Sequence, residues 1–200
     1  PRGAVGAIAE LLHRGDDPVA RLGPDDVFAV GHAGDGLRGD SGLAGDTGTG
    51  CRVPDMKEFL EFLRAKNIYR IARITVFQDP FYSKKHPELA VKKASDKTAI
   101  WADHKGINFI DVGAQPYWDY VVDLARASHE IGFDEINFDY VRFPSDGNMK
   151  DIFFEHSKDV LVANPGLGKA IALEKFFKYL HEKMTESKIV TSADLFGMVT

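Results

Sequence analysis

The sequence predicts an α/β fold with a parallel sheet, because strand-like and helix-like segments alternate along it. Three runs are predicted to be strands: Ile68 to Phe77, Asp134 to Val141, and Lys188 to Leu195. Segments with residues at helical spacing separate them. Connections of this length require parallel pairing, so we expect the strands to be neighbours in that order, with helices packed outside. A barrel and a doubly wound sheet both fit this pattern.

The two predicted helices each carry a stripe of residues at helical spacing. The first begins near Pro116, because proline is favoured in the first turn, and it ends at Gly132. Its stripe consists of Tyr117, Val121, Leu124, Ser128 and Ile131. The stripe of the second helix consists of Ala170, Leu173, Phe177, Leu180 and Met184.

The segment Gly132 to Gly147, GFDEINFDYVRFPSDG, predicts a helix end at Gly132, a strand from about Asp134 to Val141 and a turn from Pro144 to Gly147, with carboxylate, amide and guanidinium groups at the far end of the strand. Side chains alternate between the two faces of a strand. One predicted face therefore holds Ile136, Phe138 and Tyr140, and the other holds Asn137, Asp139 and Val141. Because α/β proteins bind ligands at the carboxyl ends of their strands, Asp139 is the first candidate functional residue. The alternative is a structural role, in which Asp139 caps the chain or pairs with Arg142.

Six segments, in order, resemble the putative glycosyl hydrolase domain family from about Met56 to Thr200. They are NIYRIARITVFQDP from Asn67, HPELAVK from His86, the stretch Trp101 to Gly106, YWDYVVDLA from Tyr117, GFDEINFDYVRFPSDG from Gly132 and SADLFG from Ser192. The resemblance implies a glycoside-hydrolase TIM (β/α)8 barrel, a carbohydrate substrate, and a cell-envelope or extracellular location.

A complete barrel of this kind takes about 250 residues, which is more than this chain has. By resemblance, the strands present correspond roughly to the third, fourth and fifth of the barrel. We therefore expect a partial barrel that is incomplete at both ends and belongs to a longer protein. Catalysis is expected from that longer protein and not from this piece alone.

Glycoside hydrolysis usually needs two carboxyl groups, and the sequence offers Asp139 and Asp194. Each lies near the end of its strand, and neighbouring strands are about 4.8 Å apart. Arg73, on the preceding strand, would hold Asp139 ionised, which suits a nucleophile or charge stabiliser. Asp194 is then the acid/base candidate, with Asn137 and Arg142 in support. The alternatives are a salt bridge for Arg73, a turn cap for Asp194, and an acid/base residue on a missing strand.

The long connection from Gln78 to Ala114 combines aromatic, acidic and histidine side chains, which suits a cleft for a polar ligand. The predicted substrate-binding residues are Trp101, Asp103, His104 and Tyr140. In the alternative, Trp101 and Phe109 pin the loop to the barrel and His104 is a surface residue. No metal-binding spacing is present, so neither a metal nor another cofactor is expected.

Composition divides the chain near residue 52. No lysine precedes Lys57, whereas 15 of the 144 residues from 57 to 200 are lysine, and 12 of the 19 glycines lie in the first 50 residues. We predict a glycine-rich leader, 1–52, of uncertain origin, and a barrel domain, 53–200. Within the leader, Val27 to Val30 could supply a strand, and His32 to Gly50 is expected to lack regular structure.

The remaining features of the sequence limit the classes of function that it can have. A formal charge of -5 without a basic stripe argues against nucleic-acid binding. The lone Cys51 excludes an internal disulfide, and no apolar run approaches the roughly 20 residues of a membrane span. The sequence does not indicate an oligomeric state. A glycoside hydrolase is the favoured function, and the alternative is a non-catalytic barrel that binds carbohydrate or cell wall.

Overall fold

The computed structural model describes residues 56–195 and the backbone of residues 28–31. The helices in these ranges are α1 (Met56–Ala65), α2 (Pro80–Lys85), α3 (Gln115–Ile131), α4 (Lys158–Ala163) and α5 (Gly168–Ser187). The strands are β1 (Phe28–Gly31), β2 (Arg70–Thr75), β3 (Lys92–Lys93), β4 (Glu135–Asp139), β5 (Ile152–Phe153) and β6 (Val190–Ala193). None of the helices in the described ranges is both long and apolar enough to cross a membrane.

Four strands form the main sheet, in the order β1-β2-β4-β6. The predicted neighbour order of the last three is confirmed, although each strand is shorter than the sequence predicted. β1, from the predicted leader, adds to the edge parallel to β2, with Phe28 opposite Arg70. The run Val27 to Val30 therefore does supply a strand, whereas 32–50 lies outside the described residues. The fold is mixed α/β with a parallel sheet, and the described strands do not make a complete barrel.

The chain divides into two compact units. The first comprises Pro1–Ile74, Leu124–Asn137 and Ile189–Ser192. The second comprises Thr75–Asp123, Phe138–Lys188 and Ala193–Thr200. The strands β2, β4 and β6 continue through this division, so their carboxyl ends belong to the second unit.

The first unit is organised around a buried ion pair between Arg70 and Asp134. Arg70 is 4% exposed, and its Nη2 and Nε donate to the two carboxylate oxygens at 2.5 and 2.8 Å. Nη1 donates to the carbonyl oxygen of Leu60 on α1 at 3.2 Å. The guanidinium group thereby joins α1, β2 and the segment before β4. Burial alternates along β2, with Ala72 and Ile74 in the core, as a strand with one packed face requires.

In the second unit, Phe176 of α5 fixes how that helix faces the core. Its ring packs edge-on against Phe77, at 5.0 Å between centroids, and against Trp118 of α3, at 5.7 Å. The buried side of α5 accordingly consists of Gly168, Ala172, Phe176, Leu180 and Met184. The predicted stripe of this helix is right for Leu180 and Met184. It is wrong for Ala170, Leu173 and Phe177, because Ala170 is exposed and the other two are only half-buried. The predicted α3 helix is confirmed within one residue at each end.

The Arg70–Asp134 pair gives a pH-dependent prediction. Partial burial raises the pKa of Asp134, but the hydrogen bonds and charge of Arg70 outweigh it, so the pKa lies below its usual value. Such a group stabilises the fold above its unfolded pKa of about 4, and the contribution is lost as the pH falls through the folded pKa. We expect Asp134→Asn to lower the free energy of unfolding by about 1–3 kcal/mol at pH 7, because it leaves the Arg70 guanidinium buried without its counter-charge.

Urea unfolding at pH 7 and at pH 3 measures this difference. At pH 3 the parent protein should have lost part of its advantage over Asp134→Asn. A matched control is Glu174→Gln, which removes an exposed pair with Lys178 on α5 and should change stability by less than about 0.5 kcal/mol. Equal effects of the two substitutions at pH 7 would contradict the role given to the buried pair.

Candidate functional site

Backbone hydrogen bonds join the carboxyl ends of β2, β4 and β6. The amide of Asp194 donates to the carbonyl oxygen of Phe138 at 2.9 Å, and the amide of Val76 donates to that of Asp139 at 2.9 Å. These bonds bring Asp194 alongside the end of β4, next to Asp139. The two candidate carboxylates therefore stand at the ends of adjacent strands, at the edge where α/β proteins bind ligands.

Asp139 lies at a sharp change in backbone direction. β4 ends there because Tyr140 adopts φ = 53°, a left-handed conformation that is unusual for a residue with a side chain. The Tyr140 amide donates to Oδ1 of Asp139 at 2.7 Å. The alternation of side chains predicted that Tyr140 lies on the same face as Ile136 and Phe138. That prediction is wrong, because the left-handed backbone of Tyr140 ends the alternation. Conformations of this kind persist only where neighbouring contacts impose them, and they are common at functional sites.

Arg142 is held against Tyr140 beside this turn. Its guanidinium carbon lies 5.4 Å from the centroid of the Tyr140 ring, and Nη1 donates to Oγ of Ser145 at 2.5 Å. A cation over an aromatic ring with a hydrogen bond to one side has a restricted orientation. Arg142 and Tyr140 therefore form one ordered rim next to Asp139.

Asn137 and Arg73 lie in the first unit, each half-buried on its strand. Nδ2 of Asn137 donates to Oγ of Ser192 at 3.1 Å. In turn, the Ser192 hydroxyl donates to Glu135 at 2.5 Å, and the hydroxyl of Tyr69 donates to the other carboxylate oxygen at 3.0 Å. Sequence reasoning missed Glu135 and Ser192 as partners, although both are in phase with a predicted site residue on their strands. The supporting roles of Asn137 and Arg73 stay predictions.

Tyr69, just before β2, is the outer member of this hydrogen-bonded group. Its pKa is raised, first by partial burial and then by the hydrogen bond and negative charge of Glu135. The phenol therefore remains a donor at neutral pH, which keeps Glu135 bound on both oxygens.

Trp101 occupies a different position from the one predicted. It is 1% exposed, and its Nε1 donates to the carbonyl oxygen of Asn148 at 3.1 Å. Its ring also covers Gly147, where a Cβ atom would lie only 2.7 Å from the ring. A sugar cannot stack on a ring that is buried on this scale, so the prediction of Trp101 as a stacking residue is wrong. Trp101 pins its loop to the segment that follows β4, as the alternative stated.

Asp103 and His104 follow Trp101 on the same loop. Oδ1 of Asp103 accepts hydrogen bonds from the amides of Lys105 and Ile107, at 2.9 and 2.8 Å, and so closes its own turn. The observed contacts of Asp103 are therefore those of a turn-forming aspartate. His104 is exposed on that turn, where it is accessible to a ligand.

Asp111 is one of the acidic side chains of the long connection, which the sequence predicted to line a cleft for a polar ligand, but it is buried. It is fully buried and accepts hydrogen bonds from the Ser157 hydroxyl and from the amides of Gly113 and His156, the latter two at 3.0 and 2.7 Å. Hydrogen bonds from several donors compensate for the cost of burying its charge. Asp111 thereby fixes the end of the long loop to the segment that begins α4. No spacing signal in the sequence indicates the contacts with His156 and Ser157, because both lie more than 40 residues away.

Residues 28–31 and 56–195 contain no group of three or more His, Cys, Asp or Glu side chains that could hold a metal ion. The chemistry available at the strand ends is that of carboxylates, an arginine and a phenol.

The model of the putative glycosyl hydrolase domain family matches residues 43–200. The chain belongs to this family. The match begins somewhat before Met56, where the resemblance in the sequence began.

Solved structures share the fold. A hypothetical protein from Ruminiclostridium thermocellum ATCC 27405 superposes with a TM-score of 0.68 at 28% identity, over 98% of this chain and 96% of that one. An α-xylosidase from a soil metagenome, solved with xylose, has a TM-score of 0.53 at 15% identity. An α-galactosidase from Thermus thermophilus, solved with p-nitrophenyl α-D-galactopyranoside, has a TM-score of 0.50 at 16% identity.

The two glycosidases are much longer than this chain. The alignments cover 84% and 86% of this chain, but only 25% of the α-xylosidase and 35% of the α-galactosidase. At these identities the likeness establishes the fold alone. Comparison with curated proteins gives no match.

The packing of Trp101 on Gly147 gives a prediction about the loop. Gly147 has φ = 108°, and a Cβ atom there would strike the Trp101 ring. We expect Gly147→Ala to lower the free energy of unfolding by about 2–4 kcal/mol, because it adds a steric clash to backbone strain. Thermal or urea unfolding measures the change.

Gly166→Ala is the matched control. Gly166 has φ = 85°, but a Cβ atom there would meet nothing within 4 Å. This substitution should cost only the backbone strain, about 1–2 kcal/mol. If the two variants were equally stable, Trp101 would not be packed on Gly147 in the folded protein.

Proposed function

We propose that this protein is a glycoside hydrolase whose reaction uses Asp139 and Asp194. The observation that carries the proposal is the hydrogen bond from the Asp194 amide to the Phe138 carbonyl oxygen, 2.9 Å, which supports two carboxylates at the ends of adjacent strands. Paired carboxyl groups are the common requirement of glycosidic bond cleavage. Membership of the glycosyl hydrolase family supports the same reaction class. A partial TIM barrel remains the proposed architecture.

In the proposed mechanism, Asp139 acts on the anomeric carbon, as a nucleophile or as the stabiliser of its developing positive charge. Asp194 donates a proton to the leaving oxygen and activates water. Arg142 supports Asp139 electrostatically, and Arg73 and Asn137 stay candidate supporting residues on their own strands. The separation of the two carboxyl groups in the substrate complex would decide between retention, at about 5–5.5 Å, and inversion, at about 6.5–9.5 Å.

Substrate contacts are proposed for side chains accessible at the same rim. Tyr140 and Arg142 form an ordered surface beside Asp139, and His104 is exposed on its loop. These groups can donate hydrogen bonds to sugar hydroxyls. One carboxylate oxygen of Asp103 accepts the hydrogen bonds of its own turn, so we propose a smaller contribution of Asp103 to substrate binding. Trp101 contributes to substrate binding only by fixing the position of its loop.

The first substrates to test are α-glycosides, because the two glycosidases of similar fold were solved with an α-galactoside and with xylose. The probes are the 4-nitrophenyl α-glycosides of galactose and xylose, together with release of reducing ends from polysaccharides. Binding of a polysaccharide without any release of sugar would favour the alternative function, a non-catalytic carbohydrate-binding barrel.

Asp139→Asn, made in the full-length protein, tests the catalytic assignment. It preserves the size of the side chain and removes its charge, so we expect turnover to fall by about three orders of magnitude or more. Affinity for the ligand should stay within about tenfold, or roughly 1.4 kcal/mol, because the side chain keeps its hydrogen-bonding capacity. Turnover and ligand affinity are measured separately, by steady-state kinetics and by calorimetry.

Asp146→Asn is the control for this substitution. Asp146 is an exposed aspartate of the same segment, and its replacement should leave turnover within about twofold. Near-normal hydrolysis by Asp139→Asn, of a substrate that the parent protein cleaves, would show that Asp139 is not the catalytic carboxylate.

A further inference from the structure

The hydroxyl of Tyr117 lies at the carboxyl end of β2, next to the proposed site. Tyr117, near the start of α3, is 1% exposed. Its hydroxyl donates to the carbonyl oxygen of Val76 at 2.5 Å and lies 3.1 Å from Oδ2 of Asp79. Burial raises its pKa well above the ordinary value, and the charge of Asp79 adds to this effect, so the phenol keeps its proton at neutral pH.

Val76, which binds Tyr117, also binds the turn at Asp139. Val76 accepts the Tyr117 hydrogen bond on its carbonyl oxygen and donates its amide to the carbonyl oxygen of Asp139, at 2.9 Å. The next amide, that of Phe77, donates to the carbonyl oxygen of Tyr140 at 3.4 Å. The Val76 carbonyl and the Phe77 amide belong to one peptide group, so a path of hydrogen bonds runs from the phenol to the carbonyl oxygen of Tyr140.

Asp79 extends the same anchor to α2. Its Oδ1 accepts the amides of Phe81 and Tyr82, at 3.1 and 2.8 Å, and so caps the helix. Its other oxygen faces the Tyr117 hydroxyl. The segment from Val76 to Asp79, which leaves β2, is thus bound by Tyr117 near both ends.

This anchoring matters because Tyr140 is strained. Its left-handed backbone, with φ = 53°, directs its amide to the Asp139 carboxylate. A non-glycine residue keeps such a conformation only when surrounding contacts over-determine it. The amides of Val76 and Phe77 supply two of those contacts. Tyr117 fixes the peptide group that carries the Phe77 amide, because the Val76 carbonyl belongs to that group.

We propose that Tyr117 is a positioning residue, which holds the Val76–Phe77 peptides and through them the orientation of the Asp139 carboxylate. The catalytic part of this inference rests on the proposed function. Tyr117 does not contact substrate, since its side chain is buried and its hydroxyl is directed at Val76. Its contribution is to the geometry of the reacting carboxylate, and small displacements of a catalytic group slow turnover strongly.

Tyr117→Phe removes the hydroxyl and keeps the ring. With the 4-nitrophenyl glycoside that the parent cleaves, we expect kcat to fall about tenfold or more, while KM stays within about threefold. The matched control is Tyr179→Phe, since Tyr179 lies on α5 and its hydroxyl also donates to a carboxylate, that of Asp119. That variant should keep both constants within about twofold. Replacement of Tyr117 by 4-aminophenylalanine restores a hydrogen-bond donor and should recover most of kcat. This variant tests the proposal even if Tyr117→Phe folds poorly.

A second measurement requires no substrate. Amide hydrogen exchange at Val76, Phe77 and Tyr140 should accelerate in Tyr117→Phe by about tenfold more than at Val91, a hydrogen-bonded amide of the long loop. Uniform acceleration, or none, would overturn the positioning role. So would an unchanged kcat in an assay where Asp139→Asn is inactive. If Asp139→Asn were fully active, the proposed function would fail, and exchange alone would decide whether Tyr117 orders the Asp139 turn.

Discussion

The joining of strand ends by backbone hydrogen bonds is the constraint on which the rest of this molecule depends. The amide of Val76 binds the carbonyl oxygen of Asp139, and the amide of Asp194 binds that of Phe138. Hydrogen-bonded strands have a fixed spacing, so functional groups from distant parts of the sequence reach one edge of the sheet. The helices and the long loop matter to function because they stabilise this edge.

Two kinds of interaction hold the edge in place. Apolar packing supplies most of the stability, as where Phe176 fills the space between Phe77 and Trp118. Buried polar anchors give direction, because a buried carboxylate or phenol must satisfy its hydrogen bonds in one arrangement. Asp111 and Tyr117 are such anchors in the second unit. Asp111 binds the amides of Gly113 and His156, and Tyr117 binds the carbonyl oxygen of Val76, next to the proposed site.

The sequence predicted those features that depend on local periodicity. The positions of the three predicted strands and the α3 helix follow from patterns within ten to twenty residues, and the strand order follows from the lengths of the connections. It failed where a contact between distant residues decides the outcome. The burial of Trp101 depends on the left-handed Gly147, and the rotation of α5 depends on Phe77 and Trp118. The burial of Asp111 likewise depends on His156 and Ser157, which are distant in the sequence. The proposed carboxylates were found because strand ends can be recognised locally.

The central claim is that Asp139 acts at the anomeric carbon of a bound sugar. The most direct test is a crystal structure of the Asp139→Asn protein with the glycoside that the parent cleaves, since this variant should bind substrate without turning it over. The account predicts that the anomeric carbon lies within about 3.5 Å of the side chain of residue 139, with Tyr140 and Arg142 beside the sugar. A sugar bound elsewhere, or a residue 139 side chain directed away from it, would contradict the claim.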